Sequence, residues 1–276
     1  GPVLLAAVRY DLAGLLMGVY ALVVTDRWLP RDRNEWLVVL VGGIFMIAGY
    51  HAFLFVGELS TTSAVAAVVV SLSPLLTTGF ARALLPGRTL SVRGTVGLLL
   101  GLAGVIIIAE PDPAAILASG IGEFLIFLAA VSFALGSVLA TGIEDALPIE
   151  TMEAWSMIIG AVLMHLASAG LGESPASVSW STEAFLALAY LSVVASAGGF
   201  LLYFDLLERL GPIEINLVSY AAPLWAALTG WLVLGETITV ATVVGFFAIM
   251  GGFWLLKREA IARQVEAFSR RFGRET

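Results

Sequence analysis

The chain has 276 residues, of which 59% are hydrophobic and only 13% carry a charge. Soluble globular proteins are about 45–50% apolar and about 25% charged, so this composition excludes an ordinary soluble enzyme or binding domain. The apolar content also excludes intrinsic disorder. Cysteine is absent and there are only two histidines, which excludes disulfide frameworks and thiolate chemistry and leaves little for a metal site. The composition therefore predicts an all-α polytopic membrane protein.

Nine apolar segments are long enough to cross a bilayer, which requires roughly 20 mostly apolar residues. In chain order they cover residues 3–25, 36–57, 63–85, 92–109, 120–140, 151–170, 183–206, 213–234 and 239–256. The breaks between them are short and polar, so we expect no soluble domain between the spans.

The basic residues fall on one side of this predicted arrangement. Of the 14 Lys and Arg residues, only Arg9 lies near the other side. The rest follow the first, third and seventh spans or lie in the C-terminal tail. Because cytoplasmic loops carry an excess of Lys and Arg, the pattern predicts a cell (plasma) membrane protein with a cytoplasmic C-terminus.

Two stretches of the chain repeat one pattern. Pro74 aligns with Pro223 at an offset of 149 residues. The glycines of the following spans align at an offset of 148 residues, Gly97 with Gly245 and Gly104 with Gly252. The offset contains an odd number of spans, so the two units face opposite ways, which is typical of transporters with inverted repeats.

The first unit has one span fewer than the second. Its missing member would precede residue 3, and the chain begins with Gly rather than Met. We therefore expect an N-terminal helix that is absent from this sequence, the alternative being a genuine nine-span protein.

Four short segments connect the sequence to a known family: VRY at 8–10, SLSPLL at 71–76, SYAAPLW at 219–225 and LGET at 234–237. With these, the chain resembles the EamA-type transporters of the drug/metabolite transporter (DMT) superfamily up to about residue 257. The resemblance implies a ten-helix fold of five plus five inverted repeats with both termini cytoplasmic, and it places residues 8–10 on the second helix. The chain departs from the family at Gly87-Arg88, where Gly-Glu is usual.

The repeat and the resemblance divide the chain into three parts. Residues 1–110 form a first EamA repeat with four of its five helices, and residues 119–257 form the second. In the tail, residues 258–276, apolar residues recur at helical spacing among basic ones. This pattern favours an amphipathic helix on the cytoplasmic leaflet, the alternative being a solvated tail.

We place the candidate transport site around the two proline-containing spans. Each proline leaves the carbonyl four residues earlier, that of Val70 or Ser219, without its helical N–H donor. Paired interrupted helices near the midplane indicate a transport site, whereas a packing kink is the alternative. The substrate-binding candidates are Arg9, His51, Phe55, Ser71, Pro74, Trp155, Phe200, Tyr203, Asn216, Ser219, Tyr220 and Pro223.

The polar candidates suggest how a solute is held. Asn216 and Tyr220 share a helical stripe with Pro223 and offer hydrogen bonds to a polar head group. Arg9 suits a carboxylate, although its side chain also has the length to snorkel to the head groups. His51 is a candidate for proton relay or carboxylate binding, the alternative being a neutral ring bonded to a nearby carbonyl. The aromatic candidates either wall the cavity or pack in the core.

Residues and resemblance together predict a secondary active transporter, an exporter of small organic metabolites such as amino acids, that works by alternating access. The alternatives are a nucleotide-sugar or lipid-precursor carrier of the same superfamily and a non-transporting membrane scaffold or subunit. The sequence shows no catalytic, phosphate-binding or nucleic-acid motif. We therefore expect no enzyme activity, cofactor, metal or nucleic-acid partner. The expected partners are the lipid bilayer and a small solute, with proton or ion coupling and the oligomeric state left open.

Overall fold

A computed structural model of the chain describes residues 1–61, 63–87, 91–110, 112, 120–144, 146–174, 181–229, 231–232 and 238–272. At residues 63, 64, 226, 227 and 257–272 it describes the main chain only. Across these ranges the chain is helical and contains no strand, which confirms the all-α polytopic fold.

Thirteen α-helices and two π-helices make up the described structure. In chain order they are α1 (Pro2–Val24), α2 (Arg33–Val41), π1 (Gly42–Gly49), α3 (Tyr50–Gly57), α4 (Ser63–Val70), α5 (Ser73–Leu84), α6 (Val92–Ala109), α7 (Ile121–Gly142), α8 (Ile149–Gly170), α9 (Thr182–Tyr190), π2 (Leu191–Gly198), α10 (Gly199–Leu210), α11 (Pro212–Asn216), α12 (Val218–Thr229) and α13 (Val240–Phe272).

Seven helical stretches within the described residues are long and apolar enough to cross a membrane. They are Pro2–Val24, Arg33–Gly57, Val65–Leu84, Val92–Ala109, Ile121–Gly142, Ile149–Gly170 and Thr182–Leu210, and Val240–Leu256 is a shorter apolar helix. These eight correspond to eight of the nine predicted spans. The remaining one, predicted at 213–234, is divided into α11 and α12 and runs into residues outside the description.

The two proline-containing spans are interrupted at different places, contrary to the prediction of matched breaks at the prolines. In the first, a turn at residues 71–72 directly precedes Pro74, which begins α5. In the second, the helix is interrupted at Leu217, while Pro223 lies inside α12. At this interruption the Leu217 N–H donates to the Glu214 carbonyl at 3.3 Å, a bond to the residue three places earlier that replaces the regular helical one.

The two π-helices occupy equivalent positions in the two predicted repeats. π1 begins at Gly42 and π2 at Leu191, which is the offset of 149 residues that relates Pro74 to Pro223. The sequence pattern did not predict either segment. Wide i→i+5 turns of this kind are rare and are often found at functional sites.

α6 and α13 cross at two pairs of glycines. A Cβ atom added at Gly97 would lie 2.6 Å from the carbonyl oxygen of Gly252, and one added at Gly104 would lie 2.7 Å from that of Gly245. The main chains therefore touch directly, as small residues allow in membrane helices.

The loops gather at two opposite ends of the bundle. At one end, called the basic side (residues 25–32 and 143–148), Arg27 pairs with Glu35 and donates to the Ala146 carbonyl at 2.8 Å. At the other end, Thr61 donates to the Glu123 carboxylate at 2.7 Å. Contacts between loops far apart in sequence thus hold each end together.

Candidate functional site

A cavity of about 260 Å³ lies inside the bundle, between α3, α7, α10 and the two interrupted spans. One part of its lining is aromatic: Tyr50, His51, Phe133, Phe200 and Tyr203. Another part is polar: Ser73, Asn216 and Ser219. The structure therefore brings five of the predicted site residues to one cavity.

Phe133 of α7 stands at the centre of the aromatic wall. Its ring centroid lies 5.0 Å from that of Tyr50 and 5.1 Å from that of Tyr203. On the other side of the wall, the His51 and Phe200 centroids are 6.2 Å apart. The rings meet at tilted or edge-to-face angles, which the aromatic quadrupole favours over face-to-face stacking.

His51 is held by hydrogen bonds at both ring nitrogens. Nδ1 lies 2.8 Å from the Ile47 carbonyl oxygen, and Nε2 lies 2.9 Å from the Tyr10 hydroxyl. A carbonyl oxygen only accepts, so Nδ1 carries the proton, and a neutral ring accepts the Tyr10 proton at Nε2. Ile47 belongs to π1, so the histidine ties the cavity wall to the π-helix and to α1.

Asn216 joins three helices beneath the cavity. Its amide nitrogen donates to the Ser137 hydroxyl at 2.9 Å, and its amide oxygen accepts from the Tyr203 hydroxyl at 3.2 Å. The chain of Tyr203, Asn216 and Ser137 connects α10, α11 and α7. We call these three residues the cavity floor.

A second, larger cavity lies on the far side of this floor. It has a volume of about 680 Å³ and adjoins the basic side, and we call it the vestibule. On α7 its lining includes Thr141, two turns beyond Phe133, and on α10 it includes Leu207 and Glu208, one turn beyond Tyr203. The cavity floor thus separates the central cavity from the vestibule.

The first interrupted span satisfies its own freed carbonyl. The Ser73 hydroxyl donates to the Val70 carbonyl at 2.7 Å, which supplies the partner that Pro74 removes. The Ser71 hydroxyl donates at 2.7 Å to the Ala67 carbonyl of its own helix and does not line the cavity. Pro74 is buried behind Ser73.

Arg9 and Phe55 lie beside the cavity and are not part of its lining. The Arg9 Nε atom donates to the Ser196 hydroxyl at 2.6 Å, and the guanidinium carbon lies 5.3 Å from the Tyr10 ring centroid. Phe55 packs against His51 with ring centroids 5.7 Å apart. The predicted partner for Arg9 on another helix is therefore Ser196 of π2.

The other predicted site residues are placed elsewhere. The Tyr220 hydroxyl donates to the Leu98 carbonyl at 3.1 Å, so this side chain packs against α6. Asn216 and Tyr220 do not share a stripe, because the interruption at Leu217 shifts the helical phase between them. Pro223 is buried in α12 and does not line the cavity.

Trp155 lies near the basic side and not in the central cavity. Its indole N–H donates to the Trp28 carbonyl at 2.9 Å, and its ring meets that of Trp36 edge-on, with centroids 5.7 Å apart. The chain segment between the first two spans therefore fixes this tryptophan, which packs against protein and does not line the central cavity.

Sequence reasoning missed Tyr50, Phe133 and Ser137. Phe133 and Ser137 belong to the span 120–140, which has no repeat partner in this chain, so the internal comparison could not single them out. Tyr50 is adjacent to His51, and helical periodicity assigns two adjacent residues to different faces. The preceding π-helix and the close approach of Phe133 place both against one cavity.

The chain is similar in sequence to a family of membrane transporters and to several of its members. The sequence model of the EamA-like transporter family matches residues 1–109 and 120–258. An uncharacterized inner membrane transporter, YedA, of Escherichia coli K12 is 30% identical over 239 residues, covering 86% of this chain and 76% of that protein. An uncharacterized transporter of Archaeoglobus fulgidus is 25% identical over 258 residues, 94% of this chain and 89% of that protein.

A plant protein and a solved structure are also similar. A WAT1-related chloroplastic protein of Arabidopsis thaliana is 27% identical over 264 residues, which cover 93% of this chain but 63% of the plant protein. One protein crystal structure superposes with a TM-score of 0.77 at 25% identity, covering 94% of this chain and 88% of that one.

Proposed function

The chain belongs to the EamA-like transporter family and is a multi-pass membrane transporter, and from this premise we propose that it carries a small organic metabolite through the central cavity. The transport is secondary active and proceeds by alternating access. The observation that carries the proposal is the central cavity itself, where an aromatic wall faces Ser73, Asn216 and Ser219.

The size of the cavity limits the solute. Pockets for drug-sized ligands measure about 300–1,000 Å³. The central cavity, at about 260 Å³, lies below this range. A compact solute with an apolar part against the rings and a polar head toward the serines and Asn216 fits best, and amino acids are of this kind.

The lining also weighs against phosphate-bearing solutes. Nucleotide sugars and lipid precursors carry anionic groups that proteins bind with Arg or Lys. The described lining residues of the central cavity include neither Arg nor Lys, and Arg9 is engaged with Ser196. A carrier of nucleotide sugars or lipid precursors therefore fits this cavity less well.

The cavity floor supplies a gate for the transport cycle. Parting of Tyr203 from Asn216 would join the central cavity to the vestibule, which adjoins the basic side. Following the positive-inside rule, we assign the basic side and the C-terminus to the cytoplasm of a plasma-membrane protein. The vestibule is then the cytoplasmic entrance for an exported solute.

Transport assays in proteoliposomes test the proposal. The purified chain is reconstituted, and counterflow of a panel of labelled amino acids is measured with unlabelled metabolites as competitors. We expect saturable, competable exchange that falls at least tenfold in Asn216→Ala and is unchanged in Tyr220→Phe, a control outside the cavity. A folded, inserted protein that exchanges none of the solutes would favour the scaffold alternative, and normal exchange by Asn216→Ala would refute the assigned site.

A further inference from the structure

Glu153 is an acidic residue buried inside a membrane span. It lies on α8, in the first third of the stretch Ile149–Gly170, and its side chain is 0% exposed. Neither carboxyl oxygen has a hydrogen-bond partner in the part of the chain that the structure describes. The main chain of Leu201 on α10 approaches the carboxyl group without completing a hydrogen bond.

Within the described part of the chain, no positive charge is paired with this carboxyl group. α8 packs against α1, α2, π1 and α10, and π1 carries no titratable residue. Most titratable groups on the other three helices are bonded elsewhere: Arg9 to Ser196, Tyr10 to His51, Asp11 to His165, Glu35 to Arg27, Tyr203 to Asn216 and Asp205 to Arg209. Of the others, Tyr20 on α1 and Arg33 on α2 are exposed, and Glu208 on α10 lines the vestibule. On α8 itself, Glu150 lies three residues earlier and carries the same charge.

The apolar surroundings determine the protonation state of the Glu153 carboxyl group. An ionised carboxylate without a partner is very costly in an apolar interior, and the group becomes neutral instead. In the conformation described here, Glu153 therefore holds a proton. An intramembrane ionisable residue of this kind is a candidate for a functional site.

The vestibule provides a route for that proton. Ile149 and Met152 line the vestibule, and Glu153 follows Ile149 by one turn on the same helical face. The helix against which Glu153 packs, α10, also carries Phe200 and Tyr203 of the central cavity. Movement of α10 would thus change the surroundings of the solute and of this carboxyl group together.

We propose that Glu153 is the proton-coupling site of the transport cycle. In the described conformation the carboxyl group is sealed as the neutral acid between α8 and α10; it releases its proton to water in the vestibule when solute binds and α10 moves, and it takes up another proton from water on the opposite side of the membrane later in the cycle. No other bond forms or breaks. His51 does not take this role, because both of its ring nitrogens are already bonded. The inference rests on the proposed transport function.

Glu153→Gln tests the proposal, because glutamine keeps the shape of the protonated acid and cannot release a proton. Two assays are run in proteoliposomes: counterflow of a labelled amino acid without a pH gradient, and accumulation of the same solute driven by an imposed pH gradient. We expect Glu153→Gln to keep counterflow and to lose gradient-driven accumulation at least tenfold. The matched control, Glu150→Gln on the same helix, should behave as the wild type.

The outcomes distinguish the proposed transport function from the proposed proton coupling at Glu153. Absence of counterflow in the wild type would contradict the proposed function, whereas wild-type counterflow without any response to a pH gradient would overturn the coupling alone. Accumulation by Glu153→Gln at the wild-type level would also overturn it. If the variant does not fold, proton release is measured with a pH dye when solute is added to the purified wild type in detergent, and no release would reject the proposal.

Discussion

Because α6 and α13 cross in close contact at Gly97, we expect that adding one methyl group there will markedly lower the stability of the fold. The added Cβ would lie 2.6 Å from the Gly252 carbonyl oxygen and 3.0 Å from the Leu255 Cβ. Ordinary contact begins at 3.4 Å, so the shortfall to the carbonyl oxygen is 3.4 − 2.6 = 0.8 Å. The obstructing oxygen is main chain, so no change of rotamer relieves the clash and the two helices must separate. Overpacking of this kind costs about 1–3 kcal/mol.

Equilibrium unfolding in mixed micelles measures this penalty. We expect Gly97→Ala to lower the free energy of unfolding by about 1–3 kcal/mol. The control is Gly79→Ala on α5, where a new Cβ meets no atom within 4 Å. At that position alanine should be neutral or stabilising by up to about 1 kcal/mol, since it is the better helix former. Equal stability of the two variants would refute the reasoning.

Three further predictions concern other parts of the molecule. Tyr220→Phe removes the hydroxyl bonded to the Leu98 carbonyl and should cost about 0.6 kcal/mol in the same unfolding assay. The Glu173 carboxylate caps α1 by accepting hydrogen bonds from the main-chain N–H groups of Val3 and Leu4. Partial burial alone would raise the pKa of Glu173, but these hydrogen bonds hold it below its usual range. The ionised cap stabilises the fold by about 1 kcal/mol at a pH above the ordinary Glu pKa of about 4.3, and this stabilisation is lost as the pH falls through the lower pKa of the folded state. Glu173→Gln should therefore unfold more easily than the wild type at neutral pH and equally easily in acid, in the same unfolding assay. The chain has no cysteine, so a single introduced cysteine reports the side from which its position is reached. Thr141→Cys in the vestibule should react with a membrane-impermeant thiol reagent only from the cytoplasmic side, and Thr61→Cys only from the outside. The reverse pattern would overturn the assigned orientation.

Much of the fold follows from apolar run length alone. A segment such as 92–109 must be helical in a bilayer, because its main-chain groups find no other hydrogen-bond partners there. The glycine spacing on the same segment predicted close packing, and the contact between Gly97 and Gly252 bears this out. The repeat also directed attention to the spans in which Ser73, Asn216 and Ser219 meet the central cavity.

The errors come from breaks in helical phase and from contacts between distant segments. The stripe that joined Asn216 to Tyr220 assumes 3.6 residues per turn, and the interruption at Leu217 breaks that periodicity between them. Trp155 was expected at the cavity, but its partner is the Trp28 carbonyl, far away in sequence. Nothing in the residues around Trp155 encodes that contact.

The matched π-helices bear on the history of the molecule. π1 and π2 have the same length and the same repeat position, yet the residue two places after each is His51 in one half and Phe200 in the other. The main-chain irregularity is thus shared where the side chains have diverged. On the predicted repeat, the irregular turn belongs to the unit that both halves share, which is the arrangement that duplication of a single ancestral unit would leave. Insertions or deletions inside either π-helix would then disturb an inherited geometry, whereas exchanging the side chains after it changes what each half can bind.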